Sequence, residues 1–394
     1  MSVDVFYTES HLLHNPQEEL EYGKIIPFHE TPDRISNAVD ALVRSRSLSF
    51  NLTSPTDFGL EPIRAVHSDD YIEYLRHAHA EWTNYVGGDP TRGVTPDIWA
   101  IRHISGPRAK PPPSPDAQTS LPRSVREGYA RARMGWYISD GQTVIMEKSW
   151  QAIYSAAQCA LSGAEYLVKL NSASSPPKDD NPVTSLALCR PPGHHAFRDV
   201  GAGYCFINNI AVAAQHLIDR HGARVAILDV DFHHGNGTQS IFYDRSNPLF
   251  VSLHAQWDFP HYTGHEDETG TGEGEGFTIN RPLAREDCHG KDGEEHYHAT
   301  LNTLIHSHVV PYNPTFLLVS LGVDTFHLDP VGGLGLTTPG FRLIGASIRA
   351  GVKLVEAATK RRVPTLFVLE GGYGVDDMGE NISEVMRGYV NGLI

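Results

Sequence analysis

The chain has 394 residues, 40% of them hydrophobic, enough to bury a large core, and a formal net charge of −15. That charge excludes a constitutive nucleic-acid binder, which needs a basic face, and leaves a cationic ligand or plain solubility as its meaning. Cys159, Cys189, Cys205 and Cys288 are widely spaced with no CxxC pair, which excludes a disulfide framework and a thiolate zinc site. The opening MSVDVFY has no basic leader, and no run approaches the roughly 18–20 apolar residues of a membrane span. A soluble protein of the cytoplasm, or of the nucleus, is expected, with no direct nucleic-acid or membrane partner.

In chain order, 32–47 reads as the first helix. The stretch 87–127 is rich in Pro, Gly, Arg and Ser, includes Pro111-Pro112-Pro113, and has no periodicity; long aperiodic segments commonly carry function. Residues 150–170 read as a helix and 171–182 as a polar surface loop. Short apolar runs then alternate with helical stretches. Strands are predicted at 185–189, 224–230, 249–253, 315–321 and Thr365–Leu369, and helices at Asn209–His221, 292–309 and 340–359. Such runs suit strands buried on both faces of a parallel sheet, and the alternation implies right-handed βαβ units. The expected fold is a single α/β domain over 1–394 with an insertion at 87–127. Ligands in such sheets bind beyond the carboxyl ends of the strands, and the polar motifs fall there.

The strongest motif is Leu228-Asp229-Val230-Asp231-Phe232-His233-His234-Gly235-Asn236-Gly237, at the end of an apolar strand. Strand alternation puts Asp229 and Asp231 on one side of the chain. Carboxylate oxygen and imidazole nitrogen are ordinary zinc ligands, and a catalytic site needs three of them with one position open. Asp231 and His233 can supply two. Asp324, after the strand at 315–321, is the candidate third. A lone Asp at a strand end is ordinarily a cap, but clustered ionisable groups after a buried strand are costly unless paired or metal-bound.

A second motif, Arg190-Pro191-Pro192-Gly193-His194-His195, forms a rigid turn at another strand end. Adjacent histidines beside a metal site are natural acid–base groups, and Asp229 and Asn236 are available to fix their tautomers. A third, Glu370-Gly371-Gly372-Tyr373-Gly374, presents a phenol between glycines, either over an open site or as a surface aromatic.

These motifs resemble those of the histone deacetylase superfamily, and within it most closely the acetylpolyamine amidohydrolases, which are class II histone deacetylase-like. The resemblance rests on CRPPGHHAF at 189–197, GYCFINN at 203–209, AILDVDFHHGNGTQ at 226–239, VSLGVDTFHLDP at 319–330 and EGGYGV at 370–375. Weaker agreement runs from the N-terminal strand to the C-terminal helix. The resemblance implies the arginase–deacetylase fold, a parallel sheet flanked by helices. It implies a zinc ion, with iron(II) as the alternative, on Asp231, His233 and Asp324. It implies His194 and His195 as acid–base groups, paired with Asp229 and Asn236, and Tyr373 as donor to the substrate carbonyl. Tyr204 and Phe259 match the walls of the substrate tunnel. A structural potassium ion is implied at Asp229, Asp231, His233, Ser252 and Leu253.

The implied reaction is hydrolytic removal of an acetyl group from a small acetylated amine or polyamine, with protein-lysine deacetylation as the alternative. In the polyamine enzymes a glutamate precedes a Gly-aromatic-Tyr segment. Here that segment is Gly135-Trp136-Tyr137, Arg131 stands where the glutamate is expected, and Glu127 is the nearby substitute. Asp69 matches a rim aspartate of peptide-directed deacetylases, or serves as a helix N-cap. The insertion 87–127 matches a loop that shapes the tunnel mouth or the interface of a homodimer. A catalytically silent binder of acetylated ligands needs no proton-transfer pair, and an arginase-like centre needs more carboxylates than these motifs hold.

Overall fold

Short, predominantly apolar runs become the middle of the sheet. The computed structural model describes residues 2–87, 89, 91–102, 121–172 and 181–393. Its strands are β1 (Ser2–Phe6), β2 (Glu18–Glu21), β3 (Lys24–Pro27), β4 (Ser49–Thr53), β5 (Thr184–Ala187), β6 (Val225–Asp229), β7 (Leu249–Ala255), β8 (Thr278–Leu283), β9 (Phe316–Leu321) and β10 (Thr365–Leu369). Eight of them form one sheet in the order β4-β1-β5-β10-β9-β6-β7-β8, with every neighbouring pair parallel. Strands β5, β6, β7, β9 and β10 are buried at every residue.

Side-chain alternation divides the core between the two faces. Along β6, Ala226 and Leu228 join one hydrophobic cluster while Val225 and Ile227 join the other. The first face is covered by α1 (Asp33–Arg44), α7 (Gly290–Leu304), α8 (Thr338–Thr359) and α9 (Val375–Asn391). The second is covered by α2 (Asp69–Glu81), α3 (Ala130–Tyr137), α4 (Ser149–Ser172) and α5 (Asn209–His221). A short helix α6 (Asn236–Phe242) follows the loop after β6. Helix α5 shows how local chemistry sets its limits: the Asn208 side chain accepts from the Ala211 N–H, and left-handed Gly222 closes the far end.

The expected α/β fold is present, with some boundaries moved. The helix expected at 292–309 is α7 followed by a π-helical turn over Ile305–Val309. The loop expected at 171–182 begins later, because α4 runs to Ser172. Edge strands β4 and β8 went unpredicted, since both carry polar residues and β8 contains Pro282. So did the antiparallel β2–β3 hairpin, whose turn puts Tyr22 at φ 47° and Gly23 at φ 75°. Of the insertion expected at 87–127, residues 103–120, including Pro111-Pro112-Pro113, lie outside the described residues. In its described flanks Val94 bridges Ile145, and Arg123–Arg126 forms one helical turn. All four cysteines are buried and unpaired. No helix among the described residues is long and apolar enough to cross a membrane.

Candidate active site

The carboxyl ends of β6, β9 and β10, three adjacent strands, converge on one polar centre. Beyond β6 the chain stays tied to β9 through the Val230 N–H on Ser320 O, and this carries Asp231 and His233 past the sheet edge. Asp324 arrives from β9. The ligating atoms of Asp231, His233 and Asp324 all lie within 4.8 Å of one another, and all three residues are buried. His233 Nδ1 is 3.0 Å from Asp324 Oδ2 and 3.3 Å from Asp231 Oδ1.

Backbone amides fix both carboxylates. The N–H of His233 donates to Asp231 Oδ1 (2.8 Å), that of Phe232 to Asp324 Oδ1 (2.9 Å), and that of Gly371 to Asp231 Oδ2 (2.8 Å). Gly371, just beyond β10, must be glycine for this approach: a Cβ there would lie 2.2 Å from Asp324 Oδ2 and 2.7 Å from Asp231 Oδ2.

The electrostatics of the trio suit a cation. Burial opposes charge on His233, but hydrogen bonds to Asp231 and Asp324 outweigh it and raise its pKa to about 10. Burial, then repulsion from Asp231, pushes Asp324 up to about 7. Two buried carboxylates and an imidazole within ligand distance make an oxygen-rich donor set, which fits a divalent ion such as zinc or iron(II).

The turn after β5 brings the tandem histidines to the same place. Their ring centroids are 4.0 Å apart, and His195 lies 5.9 Å from the His233 ring. His194 Nδ1 sits 3.1 Å from Asp229 Oδ2 and His195 Nδ1 2.8 Å from Asn236 Oδ1. The two partners divide the pair. Burial opposes charge on His194, yet Asp231 and Asp229 prevail and raise its pKa to about 10. Burial, with His194 and His233 adding repulsion, holds His195 well below the usual histidine value. The turn itself is anchored by Glu370, whose Oε2 accepts the N–H groups of Gly193 (2.7 Å) and His194 (3.0 Å).

Tyr373 is buried and kept a neutral phenol by that burial. Its backbone N–H and that of Gly374 donate to Asp329 Oδ2 at 2.6 and 2.9 Å. Arg34, wholly buried, donates to the carbonyls of Gly372 and Glu370 and lays its guanidinium 4.8 Å from the Tyr373 ring centroid. Glu30 pairs with both Arg34 and Arg190. Phe259 stands 4.8 Å from the His195 ring, and Tyr204 stands 5.6 Å from Tyr373.

Glu19, Glu30, Arg34, Asp329 and Glu370 carry no signal in the strand-end motifs that would assign these roles. Glu370 and Asp329 do stand within motifs, EGGYGV at 370–375 and VSLGVDTFHLDP at 319–330. Glu19 is 2% exposed, accepts from Tyr204 OH (3.0 Å) and meets His29 Nδ1 (2.7 Å), while its Oε2 is buried without a partner. It lines a cavity of about 270 Å³ with Val144 and Met146, residues that also pack against Tyr204 and Tyr373.

The residues matched to a potassium site are adjacent: β6–β7 register pairs Asp229 with Ser252, and Asp231 N–H donates to Asp229 Oδ1 at 3.1 Å. The rim candidates stand differently. Asp69 is the first residue of α2 rather than its cap, which is Ser68, and it pairs with Arg64 at 2.7 Å. Glu127 accepts from Arg123 Nε at 2.6 Å on an exposed turn, and Arg131 is exposed on α3. Among the described residues, Asp69 and Glu127 bond to Arg64 and Arg123 and not to the polar centre.

Comparison with known proteins bears on the family and the fold. A model of the histone deacetylase domain matches residues 28–389. The acetylpolyamine amidohydrolase 2 of Pseudomonas aeruginosa is 38% identical over 97% of this chain and 97% of its own. The acetylpolyamine amidohydrolase of Mycoplana ramosa is 36% identical over 98% of both chains. A crystal structure of an acetylpolyamine aminohydrolase from Burkholderia pseudomallei superposes with a TM-score of 0.80 at 31% identity, covering 99% of each chain.

Proposed function

The chain belongs to the histone deacetylase family and is a deacetylase, and we propose that it hydrolyses acetylated polyamines or similarly small acetylated amines. The observation that carries the chemistry is the position of His195: a buried imidazole, held neutral and oriented by Asn236, beside the Asp231–His233–Asp324 trio. Asp231, His233 and Asp324 would hold a zinc ion, with iron(II) as the alternative. Such an ion supplies Lewis-acid polarisation of the acetyl carbonyl and lowers the pKa of a water. A potassium ion belongs to the residues around Asp229, namely Asp231, His233, Ser252 and Leu253.

The chain's own groups move the protons. The Nδ1–H of His195 is committed to Asn236 Oδ1, so Nε2 is the free base that takes a proton from the attacking water. Tyr373 donates its phenol hydrogen bond to the acetyl oxygen as negative charge develops there; one such donor contributes about 3–4 kcal/mol. The C–N bond breaks, His195 or the adjacent His194 returns the proton to the departing amine, and acetate remains. Phe259 and Tyr204 wall the approach.

The substrate class draws on the names of the full-length relatives and on Glu19. A buried carboxylate with one unpartnered oxygen, next to the tunnel wall, suits a cationic amine on the acylated chain. We place the enzyme in the cytoplasm as a homodimer, with 87–127 at the tunnel mouth or dimer interface. Acetate release from an acetylated polyamine and from an acetyl-lysine peptide, compared side by side, tests the reading. Faster turnover of the polyamine is expected. Preference for the peptide would make the protein a lysine deacetylase, with Asp69 as its rim residue.

A further inference from the structure

Among the described residues, one other group gathers metal-ligating side chains. Glu165 on α4 and His216 and His221 on α5 bring their ligating atoms within 4.8 Å of one another. The two imidazoles converge on a single carboxylate oxygen: His216 Nε2 is 2.6 Å and His221 Nε2 2.7 Å from Glu165 Oε1. We propose that Glu165, His216 and His221 form a second divalent-metal site, of zinc chemistry, which ties α4 to α5 on the face remote from catalysis.

Two imidazoles and one carboxylate make a common three-ligand zinc set that leaves the fourth position to water. His216 is 9% exposed, Glu165 18% and His221 29%, so the group is shielded yet opens to solvent. On zinc entry the Nε2–Oε1 contacts lengthen to about 3.3 Å, the edge of a tetrahedron with ligand bonds near 2.0–2.1 Å. Small rotations of side chains on two packed helices supply that movement.

The local field favours a cation. His216 and His221 lie in the last turns of α5, whose carboxyl end carries the negative pole of the helix. Arg220, the cation beside them in sequence, is engaged with Glu61 at 2.9 and 3.0 Å. Burial alone would raise the Glu165 pKa, but the bonds from His221 and His216 outweigh it, so the carboxylate is in its ligating form. The site's two histidines stand about 10 and 18 Å along α5 from the Asn209 end that abuts the His194–His195 turn.

The test is zinc content per chain after chelator treatment and dialysis against a zinc buffer. The unaltered protein is expected to retain a second equivalent beyond the one assigned to Asp231, His233 and Asp324. His221→Ala and Glu165→Gln should each lose that second equivalent, its Kd rising on the order of 100-fold or more, while acetate release is unchanged. Asp231→Ala should keep it. Should Asp231→Ala not fold, anomalous scattering at the zinc edge from zinc-soaked crystals of the unaltered protein should place a peak between the three ligands. A second equivalent that survives both helix variants, or no peak there, overturns the proposal.

Discussion

The molecule holds two clusters of similar composition, and they are built in opposite ways. Asp231 and His233 follow β6 and Asp324 follows the adjacent parallel strand β9, and backbone N–H groups of residues 232, 233 and 371 hold the carboxylates before any ligand arrives. Glu165, His216 and His221 project from helix surfaces, with polar contacts to one another and Phe58 against the His216 ring. The first cluster is preorganised by the strands that form the core, so it cannot relax without disturbing the sheet. The second can collapse or open by rotamer change alone. Preorganised dipoles and ligands are what catalysis requires, because they need no rearrangement as charge develops.

The largest consequence concerns the proton path at the preorganised centre. His195→Ala should lower acetate release by about 10²–10⁴-fold with zinc content unchanged, measured as single-substrate kcat alongside metal analysis. Activity near the unaltered level would take His195 out of the mechanism. Tyr373→Phe should lower kcat by on the order of 100-fold and likewise leave the metal in place.

Gly371→Ala probes the backbone itself. Its Cβ must displace the carboxylates of Asp324 and Asp231, so metal retention should fall and thermal unfolding should show a loss of about 1–3 kcal/mol. An unaltered melt with metal retained would mean that the backbone yields there, and the contrast between the two clusters would weaken.

A finer test uses pH. His195 must be neutral to act as base, and activity fails as pH falls through its value, which burial, His194 and His233 hold well below the usual histidine range. Asn236→Asp puts an anion at the 2.8 Å partner position, which raises that value by about 1–3 units. The acidic limb of kcat/KM should therefore move to higher pH. A limb that stays in place would mean another group sets it. The smallest effect belongs to the surface: in the absence of zinc, His221→Ala should change stability by less than about 1 kcal/mol, as expected for a partly exposed pair. A larger loss would show that this cluster, too, is part of the structural frame.

Legibility in the sequence follows the same division. Strands buried on both faces announce themselves as predominantly apolar runs, so β5, β6, β7, β9 and β10 could be read with boundaries within a few residues. The charged groups after them were conspicuous because polarity there has no structural excuse. Edge strands β4 and β8 mix exposed and buried positions and lack that signature. The roles of Arg34, which lies in a weakly matching stretch, and of Glu30 and Glu19 were hidden for another reason. Each acts on a partner far along the chain, as Arg34 does on the carbonyl of Gly372, and nothing local distinguishes it from a surface charge. Matched spacing points to Arg131 and leaves Glu127 as its neighbour, but spacing carries no information on side-chain partners, and Glu127 is engaged with Arg123.

The strand order has a bearing on biosynthesis. Strand β10, the last to be made, lies between β5 and β9, so no earlier strand can close the middle of the sheet. A nascent chain leaving the ribosome carries two half-sheets with unpaired inner edges until residues 365–369 emerge. Only then can Gly371 reach Asp231, and Arg34 reach the carbonyls of Glu370 and Gly372. The centre therefore assembles only once β10 has emerged, and a chain cut short before β10 should be inert and prone to edge-to-edge association.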